Sequence, residues 1–130
     1  MDLTLEIIDI GVNGEGIAKH DGAVIFVPFA LVGEVVNVHI IYAKSKFYVG
    51  KITEIIKSSP HRTTPQCPHF KKCGGCNLQH MNYETQLNHK TNIVKTTLKK
   101  ALGDEVKVND IVGMGIPYHY RNKAQYPVVN

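Results

Sequence analysis

The chain has 130 residues, 43% hydrophobic and 20% charged, a globular balance that excludes a fibrous or disordered polymer. It has no apolar run of the ~18–20 residues that span a bilayer as a helix and no basic start with a long apolar centre, so neither a membrane-spanning helix nor a secretory signal is expected. The net charge of +4 is uneven: residues 1–60 carry five Lys/Arg against seven Asp/Glu, and residues 61–130 carry ten against four.

In the acidic half, Leu3, Leu5 and Ile7 alternate with Thr4 and Glu6, the period-2 pattern of a half-buried strand. Gly11-x-x-Gly14-x-Gly16 is a turn-rich break. It is not a nucleotide fingerprint, because the glycine order differs and no helical pattern follows to offer amides to a phosphate. Residues 23–27 form a compact apolar run stopped by Pro28; Val36, Val38 and Ile40 alternate again, and residues 47–56 are β-rich. Five short strands in so few residues predict a small closed or partly open barrel over 1–57, OB-like and five-stranded, since closure hides sheet edges. Lys44 and Lys46 lead into Phe47 and Tyr48, a combination that grips a nucleic-acid backbone and stacks a base. The plainer reading is a solvated hairpin with Phe47 or Tyr48 turned into the core.

Residues 58–81 hold a polar linker with Pro60 and Pro65, then a cysteine loop. Residues 82–103 read as one long helix, with Tyr83, Leu87, Val94 and Leu98 at helical spacing, Asn82 as N-cap and Gly103 as the stop. Beyond it, Val106 and Val108 predict a strand, and residues 118–126 begin a basic, aromatic strand pattern. That pattern is still running at Asn130, so a chain cut short is expected, and the unpaired strand over 120–130 is expected to add to another chain's sheet edge.

All three cysteines fall in the loop as Cys67-x5-Cys73-x2-Cys76, with Gly74 and Gly75 permitting a sharp turn. Clustered, odd-numbered cysteines fit a reducing compartment, so the cytoplasm is the expected location. Close thiolates suit iron–sulfur or zinc. A zinc site would need His61, His69 or His80 as a fourth ligand, whereas clustered cysteines plus a remote one follow the iron–sulfur habit. Free or redox-sensing thiols are the third reading. A catalytic role for these cysteines is not expected, because no acid–base partner stands at a defined spacing.

Taken in order, these residues resemble a known family. The run comprises Val27-Pro28-Phe29-Ala30-Leu31-Val32-Gly33-Glu34, Ser59-Pro60-His61-Arg62, the Cys67–Cys76 motif with Leu78-Gln79-His80, then Tyr83, Gln86-Leu87 and Lys90. Tyr120-Arg121-Asn122-Lys123-Ala124 closes it. It resembles the N-terminal part of bacterial RNA (uracil-5-)-methyltransferases, the 23S rRNA branch with a TRAM domain and a 4Fe–4S cluster. The resemblance implies a TRAM domain over 1–57, the cluster loop over 58–81, the helix over 82–103 and the start of a central β-rich domain over 104–130. It implies Cys67, Cys73 and Cys76 as three of four cluster ligands, with no counterpart for the fourth. It further implies S-adenosylmethionine as the parent enzyme's methyl donor and an active site in a C-terminal domain, leaving these 130 residues inactive alone and without catalytic or cofactor-binding residues. The expected partner is RNA, above all 23S rRNA, with Lys44, Lys46, Arg62, Lys71, Lys72, Arg121 and Lys123 on phosphates; no membrane or protein partner is implied. The competing expectation is a stand-alone RNA-binding module with a structural zinc.

Overall fold

The structure is a computed structural model that describes residues 1–129. It divides into two compact units, Met1–Gln86 and Leu87–Asn130.

The first unit holds one six-stranded sheet. Its strands are β1 (Asp2–Glu6), β2 (Asp9–Ile10), β3 (Gly16–His20), β4 (Ala23–Val27), β5 (Val35–Ala43) and β6 (Phe47–Lys57). Their order is β1-β5-β6-β4-β3-β2, antiparallel except where β4 runs parallel to β6. The sequence leads to five strands in a closed or partly open barrel; the sheet instead has six strands, and the ladder does not close. β1 and β2 stand at opposite ends of the order, and the chain itself joins them. Ile7 N donates to Glu34 O at 2.9 Å, and Ile8 N turns instead to Ile17 O at 2.8 Å. With only two residues in β2, few backbone groups remain to complete a ring.

The alternating residues face inward as their period requires. Leu5, Ile7, Ala18, Ile25, Val27, Ala30, Val36 and Val38 form the buried core, with Leu3, Ile40, Tyr48 and Ile52 packed against it. Tyr48 thus turns toward the core, the plainer of the two readings of the 44–48 hairpin. Gly16 lies where a Cβ would meet the Ala30 Cβ at 2.8 Å and the Ile7 Cγ2 at 3.0 Å, so close packing explains this glycine without a phosphate.

After β6 the linker is pinned to the sheet. Glu34 is fully buried, and its two oxygens accept from Leu31 N (3.0 Å), Ser59 N (3.2 Å), Arg62 Nε (2.6 Å) and Arg62 Nη2 (2.8 Å). Arg62 Nη2 also donates to Phe29 O at 2.6 Å. Burial pushes the Glu34 carboxyl up, but the Arg62 hydrogen bonds and the two backbone N–H groups outweigh it and hold it below its ordinary value. Arg62 then pairs with Met81 in an isolated antiparallel bridge, while Thr63 N donates to His80 O and Asn82 N to His61 O. Residues 61–63 and 80–82 therefore close the base of the cysteine loop.

His80 fills the space beneath that base. It is 1% exposed, stacked on Phe70 with centroids 5.7 Å apart and edge-on to Phe29 at 5.8 Å. Neither ring nitrogen has a hydrogen-bond partner. Burial, reinforced by the charge of Arg62, lowers its pKa to about 4.

The long helix α2 (Tyr83–Leu102) agrees with the expected 82–103. Asn82 Oδ1 caps it by accepting from Thr85 N at 2.9 Å, and Gly103, at φ 89°, ends it. Its first turn belongs to the first unit and its remainder to the second. No residue of α2 is buried. The strands expected at 106–109 and 118–126 do not form among the described residues, and Asn130 lies outside them. Their patterning is real, but a strand needs a partner ladder, and no segment of this unit supplies one.

Two predictions follow from how the loop is anchored. Arg62→Ala, which strands a buried carboxylate, should cost about 3–5 kcal/mol of unfolding free energy in urea, and the double variant Glu34→Leu with Arg62→Met should cost much less. A loss under about 1 kcal/mol for Arg62→Ala would show that Glu34 needs no partner. Because folded His80 resists protonation, its contribution is complete above pH 6.5 and is lost as pH falls from there to about 4, a change of about 3 kcal/mol. Glu34 adds a further loss below its ordinary value of 4.5. Urea unfolding across this pH range should show the upper loss in the wild type and a flatter profile in His80→Phe; identical profiles would remove His80 as its source.

Candidate functional site

The cysteine loop rises from its clamped base as a short turn. Phe70 N bonds to Cys67 O, Lys72 N and Cys73 N bond to His69 O, and α1 (Phe70–Cys73) ends at Gly74 with φ 71°. Cys67 N donates to Gln79 Oε1 at 3.2 Å, tying the two sides of the loop together. Phe70 anchors the turn by packing on Phe29 with centroids 5.3 Å apart. Cys73 is exposed, Cys76 and Cys67 are half-buried, and all three are free thiols.

Although one loop carries all three thiols, it does not gather them. Among the described residues no three His, Cys, Asp or Glu side chains are grouped to hold a metal ion. The arrangement as it stands therefore does not fit a 4Fe–4S cluster or a zinc ion, each of which needs four converging ligands. His80, one of the histidines weighed for zinc, lies in the aromatic packing beneath the loop.

The basic residues expected on phosphates separate by position. Lys44, Lys46, Lys71, Lys72, Arg121 and Lys123 are exposed. Arg62 is not: its side chain is 19% exposed and its guanidinium holds Glu34 and Phe29 O, so its place is structural. Arg121 and Lys123 lie in the second unit.

Within the first unit, lysines and aromatic rings are interleaved. Lys44 Nζ lies 5.8 Å from the Tyr42 ring and 5.9 Å from the Phe47 ring, and Phe47 packs edge-on to Phe26 at 5.8 Å. Lys71 Nζ lies 5.7 Å from the Phe29 ring. Cations over ring faces beside exposed aromatic surface make a strip suited to a phosphate backbone with unpaired bases. Sequence reasoning found Lys44, Phe47 and Lys71 but missed Phe26 and Phe29. Phe26 sits in an apolar run that reads as core, and only its outward register on β4 separates it from buried Ile25 and Val27.

The TRAM domain family model matches residues 3–53. An uncharacterized RNA methyltransferase of Clostridium tetani is 46% identical over 124 residues, covering 95% of this chain and 27% of that protein. Another, from Clostridium acetobutylicum, is 45% identical over 98% of this chain and 28% of its own length. The chain thus spans about a quarter of the length of the curated relatives it matches. Among solved structures, the Pyrococcus abyssi tRNA (uracil-54, C5)-methyltransferase, in complex with S-adenosyl-L-homocysteine, is 34% identical over 81% of this chain and 22% of that one, with a TM-score of 0.53. Residues 3–53 thus match the TRAM domain family, in a chain similar along nearly its whole length to RNA methyltransferases.

Proposed function

We propose that this chain is the RNA-binding part of an S-adenosylmethionine-dependent RNA (uracil-5-)-methyltransferase, with 23S rRNA as its substrate. The observation that carries the reading is the interleaving of exposed lysines with aromatic rings, Lys44 over Phe47 in the region matching the TRAM family and Lys71 of the cysteine loop over Phe29. Similarity to RNA methyltransferases supports the reaction class, and similarity to a tRNA (uracil-54, C5)-methyltransferase supports C5 of uracil as the acceptor. The preference for 23S rRNA rests on the cysteine motif Cys67-x5-Cys73-x2-Cys76 with Leu78-Gln79-His80. Methyl transfer is proposed for the whole protein, and no residue described here is given a catalytic role.

The TRAM lysines neutralise phosphates, and the strip orients a single-stranded segment for modification. Lys44, Lys46, Lys71 and Lys72 take the backbone in the first unit, with Arg121 and Lys123 as further contacts in the second. Cys67, Cys73 and Cys76 are the proposed ligands for a 4Fe–4S cluster. It would take the loop out of its present arrangement and require a fourth ligand. Its role would be to brace the loop.

Two measurements test this reading. Fluorescence anisotropy with a 23S rRNA stem-loop should show affinity falling steeply with salt, and Lys44→Ala or Lys71→Ala should each lower the log–log slope by roughly one. Salt-insensitive binding, or none to any RNA, would sink the RNA-binding role. Anaerobic reconstitution with iron and sulfide should yield a brown protein whose iron content falls in Cys73→Ser. A colourless protein with stoichiometric zinc would refute the cluster and favour a zinc-braced RNA-binding module.

A further inference from the structure

Beside the cysteine loop, the first unit carries an open groove of about 380 Å³. That volume lies within the range of about 300–1,000 Å³ for small-molecule sites. The β2–β3 turn contributes Asn13 and Glu15, β4 and its end contribute Phe26, Pro28 and Phe29, and the cysteine loop contributes Asn77. Gly14 sets how closely the turn meets the loop: a Cβ there would strike the Leu78 side chain, and its φ of 84° suits glycine.

Taking RNA as the partner, as proposed above, we infer that this groove seats one unpaired base of the bound strand, stacked on Phe26 or Phe29, while Lys44 and Lys71 hold the flanking phosphates. Four observations converge on that occupant. Phe26 and Phe29 are half-buried rings lining the groove, and any base presents a π-face for stacking. Lys71 lies over Phe29, and Lys44 lies over Phe47, which packs on Phe26, so each groove ring has a cation on its own face or one ring away. Glu15 lines the groove and disfavours a phosphate inside it, leaving the base as the part of a nucleotide that enters. Asn13 and Asn77 are exposed at the groove and carry both donors and acceptors, which serve the polar edge of any base.

Phe29 adds a sign of specialisation. Its φ of 67° lies in the left-handed region, unusual for a bulky L-residue. The conformation is held by the Arg62 hydrogen bond to its carbonyl and by ring packing on Phe70 and His80. Strain held in place by its surroundings concentrates at binding sites. Here it belongs to a ring that lines the groove and that the loop base immobilises.

The test uses the 130-residue chain and a single-stranded RNA carrying a fluorescent purine analogue; the chain has no Trp to interfere. Binding should change the analogue's emission as the base stacks. Phe26→Leu, which keeps apolar volume but removes the π-face, should weaken binding roughly 10-fold without changing the salt slope. As a check that does not depend on a variant, adenosine monophosphate should shift the backbone amide resonances of Gly14, Phe29 and Asn77. Steep salt-dependent RNA binding with unchanged emission, an inert Phe26→Leu and no amide shifts would overturn the groove while leaving RNA binding standing. No binding of any RNA would overturn both.

Discussion

A single buried carboxylate organises the first unit. Glu34 has no exposure, and its four acceptor sites meet two backbone N–H groups and two guanidinium nitrogens. An ion pair in the interior is tolerable only when geometry and added hydrogen bonds offset desolvation, and here each oxygen receives two donors. The partners come from the β4–β5 connection, the linker after β6 and the base of the cysteine loop. One side chain thereby ties its own β4–β5 connection to the linker and loop base 25 and 28 residues on, and the Arg62 bond to Phe29 O extends the set to the groove.

This anchoring gives the loop a fixed base and an open tip. Thr63, His80, Asn82 and His61 close the base through backbone hydrogen bonds, and Phe29, Phe70 and His80 fill the space between loop and sheet. The thiols sit further out, where solvent reaches Cys73. A buried neutral histidine whose ring nitrogens have no hydrogen-bond partner is an aromatic packing element that acid disfavours, so the same cluster couples the loop's seat to pH. The lysines stay outside this interior, at the rims of aromatic surface.

Much of the first unit was legible from periodicity. The strands at 3–7 and 36–40 read correctly because their inward residues alternate, while 23–27 showed as an apolar run stopped by Pro28 and 47–56 as a β-rich segment. The Asn82 cap and Gly103 stop were legible because both act within one helical turn. What failed was what needed a distant partner. Arg62 reads as a phosphate contact, since nothing nearby marks Glu34, 28 residues away, as its acceptor. Segments 106–109 and 118–126 read as strands but remain unpaired among the described residues. The metal site that the cysteine spacing predicts is a different case: it depends on a fourth ligand that no local pattern names, and among the described residues no three ligand-type side chains are grouped.

By itself, the sequence determined the strand faces, the helix limits, the glycine-rich turn and a motif order resembling one enzyme family. All of these are set by residue type and local spacing. Only the tertiary structure decided that the sheet stays unclosed, that Arg62 turns inward and that Phe26 and Phe29 line a groove while their neighbours fill the core. Those outcomes depend on which donor meets which acceptor after the chain has folded back on itself. Local periodicity carries no record of that pairing.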